Sequence, residues 1–376
     1  MVTFQKVKFK DFALLQRGFD LPKDKRTEGK YPVVASTSIT GYHDTFKVKG
    51  PCVTTGRSGA LGEVLFTKQN CWPLNTTLWV KDFKCNDPKF VYFKLKTLGL
   101  EKFNAGAGVP TLNRNHLDEL ILEVPDLATQ TRIASVLSAY DDLIENNEKR
   151  IKALEEMAQL LYTEWFVKFK FPGHEKVKMV DSGTEYGMIP EGWDVGRLGE
   201  IADLIMGQSP TSNHYNLNRE GEPFHQGVAD FGSKYPIDRV YSTAGNKYAE
   251  KNDLLFSVRA PVGRMNIATK KIILGRGLSA IRHKNNQQSF LFLMFNQKFT
   301  EKDMIGNGAI YKSVNQVELK NLKFVVPTQE IVEEFETIVS LYFHDMESLT
   351  AENMILSRLC KMLIPQLVSG KRILKF

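Results

Sequence analysis

The chain has 376 residues, of which 42% are hydrophobic and 25% charged, enough apolar content for two or three cored domains and too much for a disordered chain. A formal net charge of +7 favours an acidic partner such as nucleic acid. Cys52, Cys71, Cys85 and Cys360 form no Cys-x-x-Cys pair, which argues for reduced thiols in a cytosolic protein rather than a disulfide frame. The opening MVTFQKVKFKDF is no signal peptide, and no run reaches the roughly 18 apolar residues of a membrane span. A soluble protein of the cytoplasm, with no membrane partner, is expected.

In chain order, β-type runs punctuated by glycines come first, at Tyr31–Ser36, Thr45–Lys49, Cys52–Thr55, Glu63–Thr67 and Thr77–Val80. Phe90–Thr97 then reads as a helix. After Pro125 a heptad seam begins, through Tyr140, Ile144, Asn147, Ile151, Leu154, Ala158, Leu161 and Trp165. At Met188-Ile-Pro-Glu-Gly-Trp-Asp the chain reads as a second start. Strands are expected at Asp253–Val258, Arg264–Ala268 and Leu278–Arg282, and a helix at Ser289–Phe299. A second seam follows in the same register, through Tyr342, Met346, Leu349, Asn353, Leu356, Cys360, Leu363 and Leu367. No helix breaker precedes Pro365, and Ser369-Gly370 ends the helix.

That second start is a repeat. Phe4–Phe12 lies over Trp193–Ile201. At a slightly longer displacement Gly106-Ala107 meets Gly308-Ala309, Asn113 meets Asn315, Leu117 meets Leu319 and Val124-Pro125 meets Val326-Pro327. The interiors have diverged while the ends are alike. The expected fold is therefore α/β (α+β): two mixed domains separated by two long antiparallel coiled-coil helices, with a pseudo-twofold internal repeat. The expected boundaries are 1–125 and 193–327 for the domains, 126–170 and 328–376 for the helices, and 171–192 for the linker. Strict 3.5-residue spacing favours a mutual coiled coil over two helices that each pack on their own domain. Asn147 and Asn353 place polar groups on that seam, which fixes register at a cost in stability. From Tyr140 to Trp165 the helix is roughly 40 Å long, close to the roughly 34–36 Å between half-sites one DNA turn apart.

Two loops stand out, Thr55-Gly-Arg-Ser-Gly-Ala-Leu-Gly-Glu and Ser257-Val-Arg-Ala-Pro-Val-Gly-Arg. Each sets an arginine, Arg57 or Arg259, in a Gly- or Pro-containing turn, where it can fork onto guanine or phosphate. Catalytic signatures are missing. There is no phosphate-binding Gly-x-x-x-x-Gly-Lys loop and no Pro-Pro dipeptide of the kind amino-methyltransferases use to grip a flipped base. Glu318-Leu319-Lys320 resembles a nuclease triplet, but its counterpart His116-Leu117-Asp118 lacks both the acid and the lysine, so a solvated helix face explains it better. His43 and His225 have no metal-ligand partner at useful spacing.

Glu222-Pro-Phe-His-Gln-Gly-Val-Ala-Asp-Phe-Gly-Ser-Lys-Tyr-Pro, Asp253-Leu-Leu-Phe-Ser-Val-Arg-Ala-Pro-Val-Gly and Gly275-Arg-Gly-Leu-Ser-Ala-Ile resemble one type of target-recognition domain. Val53-Thr-Thr-Gly-Arg-Ser-Gly, Trp72-Pro-Leu-Asn-Thr-Thr-Leu-Trp-Val and Val109-Pro-Thr-Leu-Asn-Arg resemble another. The tails Ile133–Asn147 and Leu363-Ile-Pro-Gln-Leu-Val-Ser-Gly are similar to spacer helices of the same family, the specificity (S) subunit of Type I restriction–modification systems. The resemblance implies a bacterial or archaeal subunit without chemistry of its own. Each recognition domain would read one half of a split double-stranded DNA target, with the spacers setting the gap. Two modification (methyltransferase) subunits using S-adenosylmethionine would dock on the helices, and restriction subunits using ATP and Mg2+ would join them. No cofactor is then expected on this chain, and no metal.

Under that reading the DNA-contact candidates are Thr37, Ser38, Arg57, Ser58 and Arg114 in the first domain, and Gln208, Ser209, Gln226, Arg259, Arg264 and Arg276 in the second. The arginines suit phosphate or guanine, and Gln and Ser suit base edges. Tyr140, Ile144, Ile151, Leu154, Leu161, Trp165, Tyr342, Met346, Leu349, Leu356, Leu363 and Leu367 are the coiled-coil and partner-binding candidates. Two alternatives remain at this point: an enzyme lacking its usual motif, and a coiled-coil protein–protein adaptor. An enzyme would modify DNA unaided. An adaptor would show no strongly salt-dependent DNA affinity. If Arg259 reads guanine, Arg259→Ala weakens binding to the second half-site by roughly 1–3 kcal/mol; unchanged affinity and sequence preference in a titration would remove it from the interface.

Overall fold

The computed structural model describes residues 3–106, 108–299 and 313–372. Ala107, Gly308 and Ala309 of the repeat lie outside these residues. The chain divides into two compact units, Met1–Glu148 with Thr350–Phe376, and Lys149–Leu349.

The first unit holds β1 (Phe4–Lys8), β2 (Leu14–Arg17), β3 (Tyr31–Val34), β4 (Ile39–His43), β5 (Cys52–Gly56), β6 (Val64–Thr67), β7 (Trp72–Pro73), β8 (Thr77–Asp82) and β9 (Ile121–Pro125). An antiparallel sheet runs in the order β2-β8-β5-β6, and a smaller one in the order β4-β3-β7 with β3 parallel to β7. β1 and β9 form a ribbon. The central strand β5 is buried along its whole length, as a continuous run of apolar and β-branched residues requires. Helix Pro88–Lys96 begins where Asp87 accepts hydrogen bonds from the Lys89 and Phe90 amides, with proline at its first position.

In the second unit β10 (Met179–Asp181) and β11 (Met188–Pro190) form a hairpin. Then come β12 (Asp194–Arg197), β13 (Ala202–Met206), β14 (Tyr215–Asn216), β15 (Glu222–His225), β16 (Tyr241–Ser242), β17 (Tyr248–Ala249), β18 (Leu254–Ser257), β19 (Met265–Ile267), β20 (Ile272–Leu274), β21 (Leu278–His283) and β22 (Lys323–Val326). Sheet β13-β21-β18-β19 repeats the connectivity of β2-β8-β5-β6. Ribbon β12–β22 repeats β1–β9, and the parallel pair β15–β20 repeats β3–β7. Here helix Gln288–Lys298 takes its cap from the second long helix, where the Glu336 carboxylate accepts the Ser289 and Phe290 amides.

The long helices are Leu127–Tyr162 and Gln329–Val368, the second continuing through Pro365. Within each unit they run antiparallel. In the first, Ile133 and Leu137 share a core with Ile364 and Leu367, and Asn147 donates to Asn353 Oδ1 at 3.0 Å. The two polar seam residues therefore meet each other. In the second, Tyr162, Trp165 and Phe166 pack edge-on or tilted against Phe335. Helix ends thus enter the globular cores, so the seam is shared between helix and domain. Met346, Leu349, Leu356 and Leu367 are buried, while Tyr140, Ile144, Ile151, Leu154, Leu161, Tyr342 and Leu363 are half-buried. Trp165 is buried in a π-helical turn, Thr163–Val167, beyond the α-helical part.

One expected strand is absent. Thr45–Lys49 is a bend in which only Val48 pairs, because its partner segment offers one residue, Cys71, for both backbone hydrogen bonds. Ile39–His43 forms the strand instead.

Lys234 fastens a loop of the second unit to both long helices. Its ammonium pairs with Glu155 at 2.9 Å and lies over the rings of Phe292 and Phe343. Burial pushes its pKa down, against the pull of Glu155.

His283 accepts the Asn285 amide on Nδ1 and lies edge-on to Phe290, and burial holds its pKa down at about 4. Its folded-state pKa is below the unfolded one, so its contribution is whole above pH 6.5 and is lost as pH falls towards about 4. Urea titrations at about pH 7 and about pH 4.5 are expected to show a loss of stability roughly 1–3 kcal/mol smaller in His283→Phe than in the parent chain. Equal losses would contradict this.

Candidate nucleic-acid interface

At one end of the four-stranded sheet in each unit, five chain segments cross. The pairing of β5 with β8 and of β18 with β21, together with four loop hydrogen bonds, sets the two crossings in register. The Gly18 amide donates to Thr77 O and the Gly207 amide to Leu278 O. Phe19 N bonds Pro73 O as Gln208 N bonds Leu274 O; Leu74 N bonds Val34 O as Gly275 N bonds His225 O. Leu112 N bonds Arg57 O as Val314 N bonds Val258 O. Both crossings depend on a glycine at close quarters: a Cβ on Gly18 would strike the Leu74 carbonyl oxygen, and one on Gly207 the Gly275 carbonyl oxygen.

The register shows that Arg57 and Arg259 are not counterparts. Arg57 corresponds to buried Val258, and Arg259 to Ser58, since Ser58 bridges Thr111 as Arg259 bridges Ser313. One residue along an extended edge turns a side chain to the opposite face. Accordingly Arg57 is half-buried, with Nη1 donating to Asn75 O at 3.3 Å, while Arg259 is exposed.

Most of the candidates gather at these crossings. In the first unit Thr37 and Ser38 are exposed in the β3–β4 turn, and Ser36 Oγ beside them donates to Ser58 O and Thr76 O. In the second, Ser209 Oγ donates to Gln226 Oε1 at 3.1 Å and accepts the Arg276 amide at 3.2 Å, with Gln208 exposed alongside. Two candidates stand apart. Arg114 Nη1 donates to Leu15 O at 3.1 Å, just as its counterpart Gln316 reaches Leu204 O, so it latches the edge of β2. Arg264 lines a cavity of about 480 Å³ with Phe231, Phe292, Asn296 and Phe299, on the side of helix Gln288–Lys298.

Behind the second crossing, buried His225 donates to Asp238 Oδ1 at 3.0 Å, and Lys270 pairs with the other carboxylate oxygen. Burial raises the Asp238 pKa, but these partners outweigh it and hold the carboxyl below its ordinary range. His43 is likewise buried, edge-on to Trp72. Glu318 accepts the Asn315 amide in a capping box, which accounts for the acid of the Glu-Leu-Lys triplet.

Sequence reading missed Asp20 and Asn75, the counterparts of Ser209 and Arg276. Extending the Phe4–Trp193 alignment past Gly18 and Gly207 places Asp20 under Ser209.

Residues 1–156 and 190–349 each match the family described as Type I restriction modification DNA specificity domain. With both matches, the chain belongs to that family and carries the DNA specificity domain twice. It is 34% identical over 243 residues to the putative type I restriction enzyme MjaX specificity subunit of Methanocaldococcus jannaschii, covering 64% of this chain and 56% of that relative. It is 26% identical over 344 residues to the type I restriction enzyme MjaIX specificity subunit of the same organism, covering 86% and 78%. The crystal structure of a Type-I restriction-modification S subunit from M. genitalium has the same fold, with a TM-score of 0.66 at 19% identity over 97% of this chain and 96% of that one.

Gly207→Ala is expected to destabilise the second crossing by about 1–3 kcal/mol, because the new methyl meets backbone rather than a movable side chain. Thermal unfolding of the variant measures it; an unchanged midpoint would mean that the crossing yields.

Proposed function

We propose that the chain is the sequence-specificity subunit of a Type I restriction–modification complex, each unit reading one half of a bipartite duplex with its five-segment crossing. The observation that carries this reading is the repetition of one backbone junction under two unrelated sets of side chains. An invariant frame with interchangeable surface chemistry suits two independent half-sites. The two long helices set the gap between the halves.

The same helices leave apolar side chains in solvent that the seam does not use. Met354, Ile355, Leu359 and Met362 are exposed on one face of the second helix in the first unit, with Leu143 exposed on the first helix. In the second unit Met157, Leu160 and Leu341 are exposed. These positions, rather than the buried seam, are the surfaces on which two modification subunits dock. A repeated frame offers equivalent sites to two identical partners. Restriction subunits join through that complex. The chain itself does no chemistry: S-adenosylmethionine, ATP and Mg2+ act on the partners. Among the described residues no helix is long and apolar enough to cross a membrane. The proposed action is on DNA in the cytoplasm of a bacterium or archaeon.

Sequence-resolved adenine methylation in a host expressing the chain with its modification subunit is expected to show two short constant blocks separated by a fixed number of free bases. A continuous site, or none despite a stable complex, would refute the reading. Ile355→Glu with Leu359→Glu is expected to abolish co-purification of the modification subunit while changing stability by no more than about 0.5 kcal/mol, since both side chains are exposed. Retained co-purification would place docking elsewhere.

A further inference from the structure

We infer that Arg17 and Asn75 are the base-reading pair of the first unit, and that Asp20 positions both. The inference rests on the two-half reading above and adds residues to it.

The register of the crossings carries it. Ser209 and Arg276 of the second unit map onto Asp20 and Asn75, and the tie between them is kept while its chemistry changes. In the second unit the Arg276 amide donates to Ser209 Oγ. In the first, Asn75 Nδ2 donates to Asp20 Oδ1, the same oxygen that takes Arg17 Nη2 at 3.3 Å. The backbone carbonyl of Asn75 meanwhile accepts from Arg57 Nη1. One amide and one guanidinium therefore converge on the Asp20 carboxylate at the end of β2, while a second guanidinium, that of Arg57, holds the backbone of Asn75. Gln226 of the second crossing has no polar counterpart, because Ala35 stands in its place. Asp20 and Asn75 thus occupy the segments of Ser209 and Arg276, whereas Arg17 at the end of β2 has apolar Met206 as its counterpart.

What this cluster leaves unused fits a base edge. The Arg17 and Asp20 side chains are 52% and 68% exposed. An ion pair so open adds little to stability, about 0–1 kcal/mol, so folding does not account for it. With one Nη2 hydrogen held by Asp20, Arg17 keeps the other, which forks with the N–H beside it onto guanine O6 and N7. With Nδ2 held, Asn75 presents its Oδ1 to the amino group of adenine or cytosine. The Asp20 carboxylate repels phosphate, so it turns its neighbours towards bases rather than the backbone. Fixing the planar fork in advance also lowers the cost of ordering it on DNA.

The test uses the chain assembled with its modification subunit. Arg17→Ala, Asp20→Asn and Asn75→Ala are compared with the parent by sequence-resolved methylation, by competition with duplexes carrying single-base changes, and by melting temperature. The expected result is discrimination relaxed about tenfold or more at one or two adjacent positions of the first half-site, with the second half-site and the melting temperature unchanged. For a variant that no longer methylates, the competition assay gives the same readout. A uniform fall in affinity with base preference intact would make these residues phosphate contacts and overturn the assignment. Altered preference in both halves would overturn it as well. A parent motif that is not split refutes the two-half reading itself, whereas a split motif unchanged in all three variants refutes this assignment alone.

Discussion

In each unit the crossing of five segments depends on one glycine pressed against a neighbouring carbonyl, Gly18 against Leu74 and Gly207 against Gly275. No side chain fits there, so the end of β2 or β13 comes within hydrogen-bonding distance of the turn before β8 or β21. That approach brings the loop after the parallel strand alongside, and the loop after the central strand closes over it. Backbone amides and carbonyls hold the frame. Its side chains are therefore free to vary without loosening it, which is what a reading surface with exchangeable specificity needs.

Much of this was legible in the sequence because it rests on periodicity or on continuous burial. The seam from Tyr140 to Trp165 repeats every 3.5 residues, and the structure gives a helix from Leu127 to Tyr162. Cys52–Thr55 and Leu278–Arg282 read as strands because β-branched and apolar runs of that length suit the middle of a sheet. Thr45–Lys49 alternates β-forming residues with lysines and is not a strand, since pairing depends on what lies opposite and only Cys71 does. The π-helical turn at Trp165 was hidden for a similar reason: it is set by aromatic packing against Phe335, Phe166 and their neighbours.

The site was legible in part. Gly-Arg and Val-Arg turns marked the loops, but loop composition does not fix phase, so the one-residue offset between Arg57 and Arg259 became visible only through the hydrogen bonds of Leu112 and Val314. Asp20 precedes Leu-Pro and reads as an ordinary solvated turn, and Asn75 sits in a run that looks like the entry to a strand. They meet only because distant segments cross. The apolar positions Met354, Ile355 and Leu359 fell off the heptad seam, and a seam-based reading assigns them no partner.

Both units are proposed to present the same junction to DNA. Site-specific photo-crosslinking tests this directly, with a benzophenone side chain placed at Ser58, at its counterpart Arg259, and at exposed Met157 on the long helix, in the assembled complex bound to its methylation target. Crosslinks are expected from position 58 to one half-site, from position 259 to the other, and none from position 157. Crosslinks from 58 and 259 to the same half-site, or DNA captured only from the helix, would contradict this.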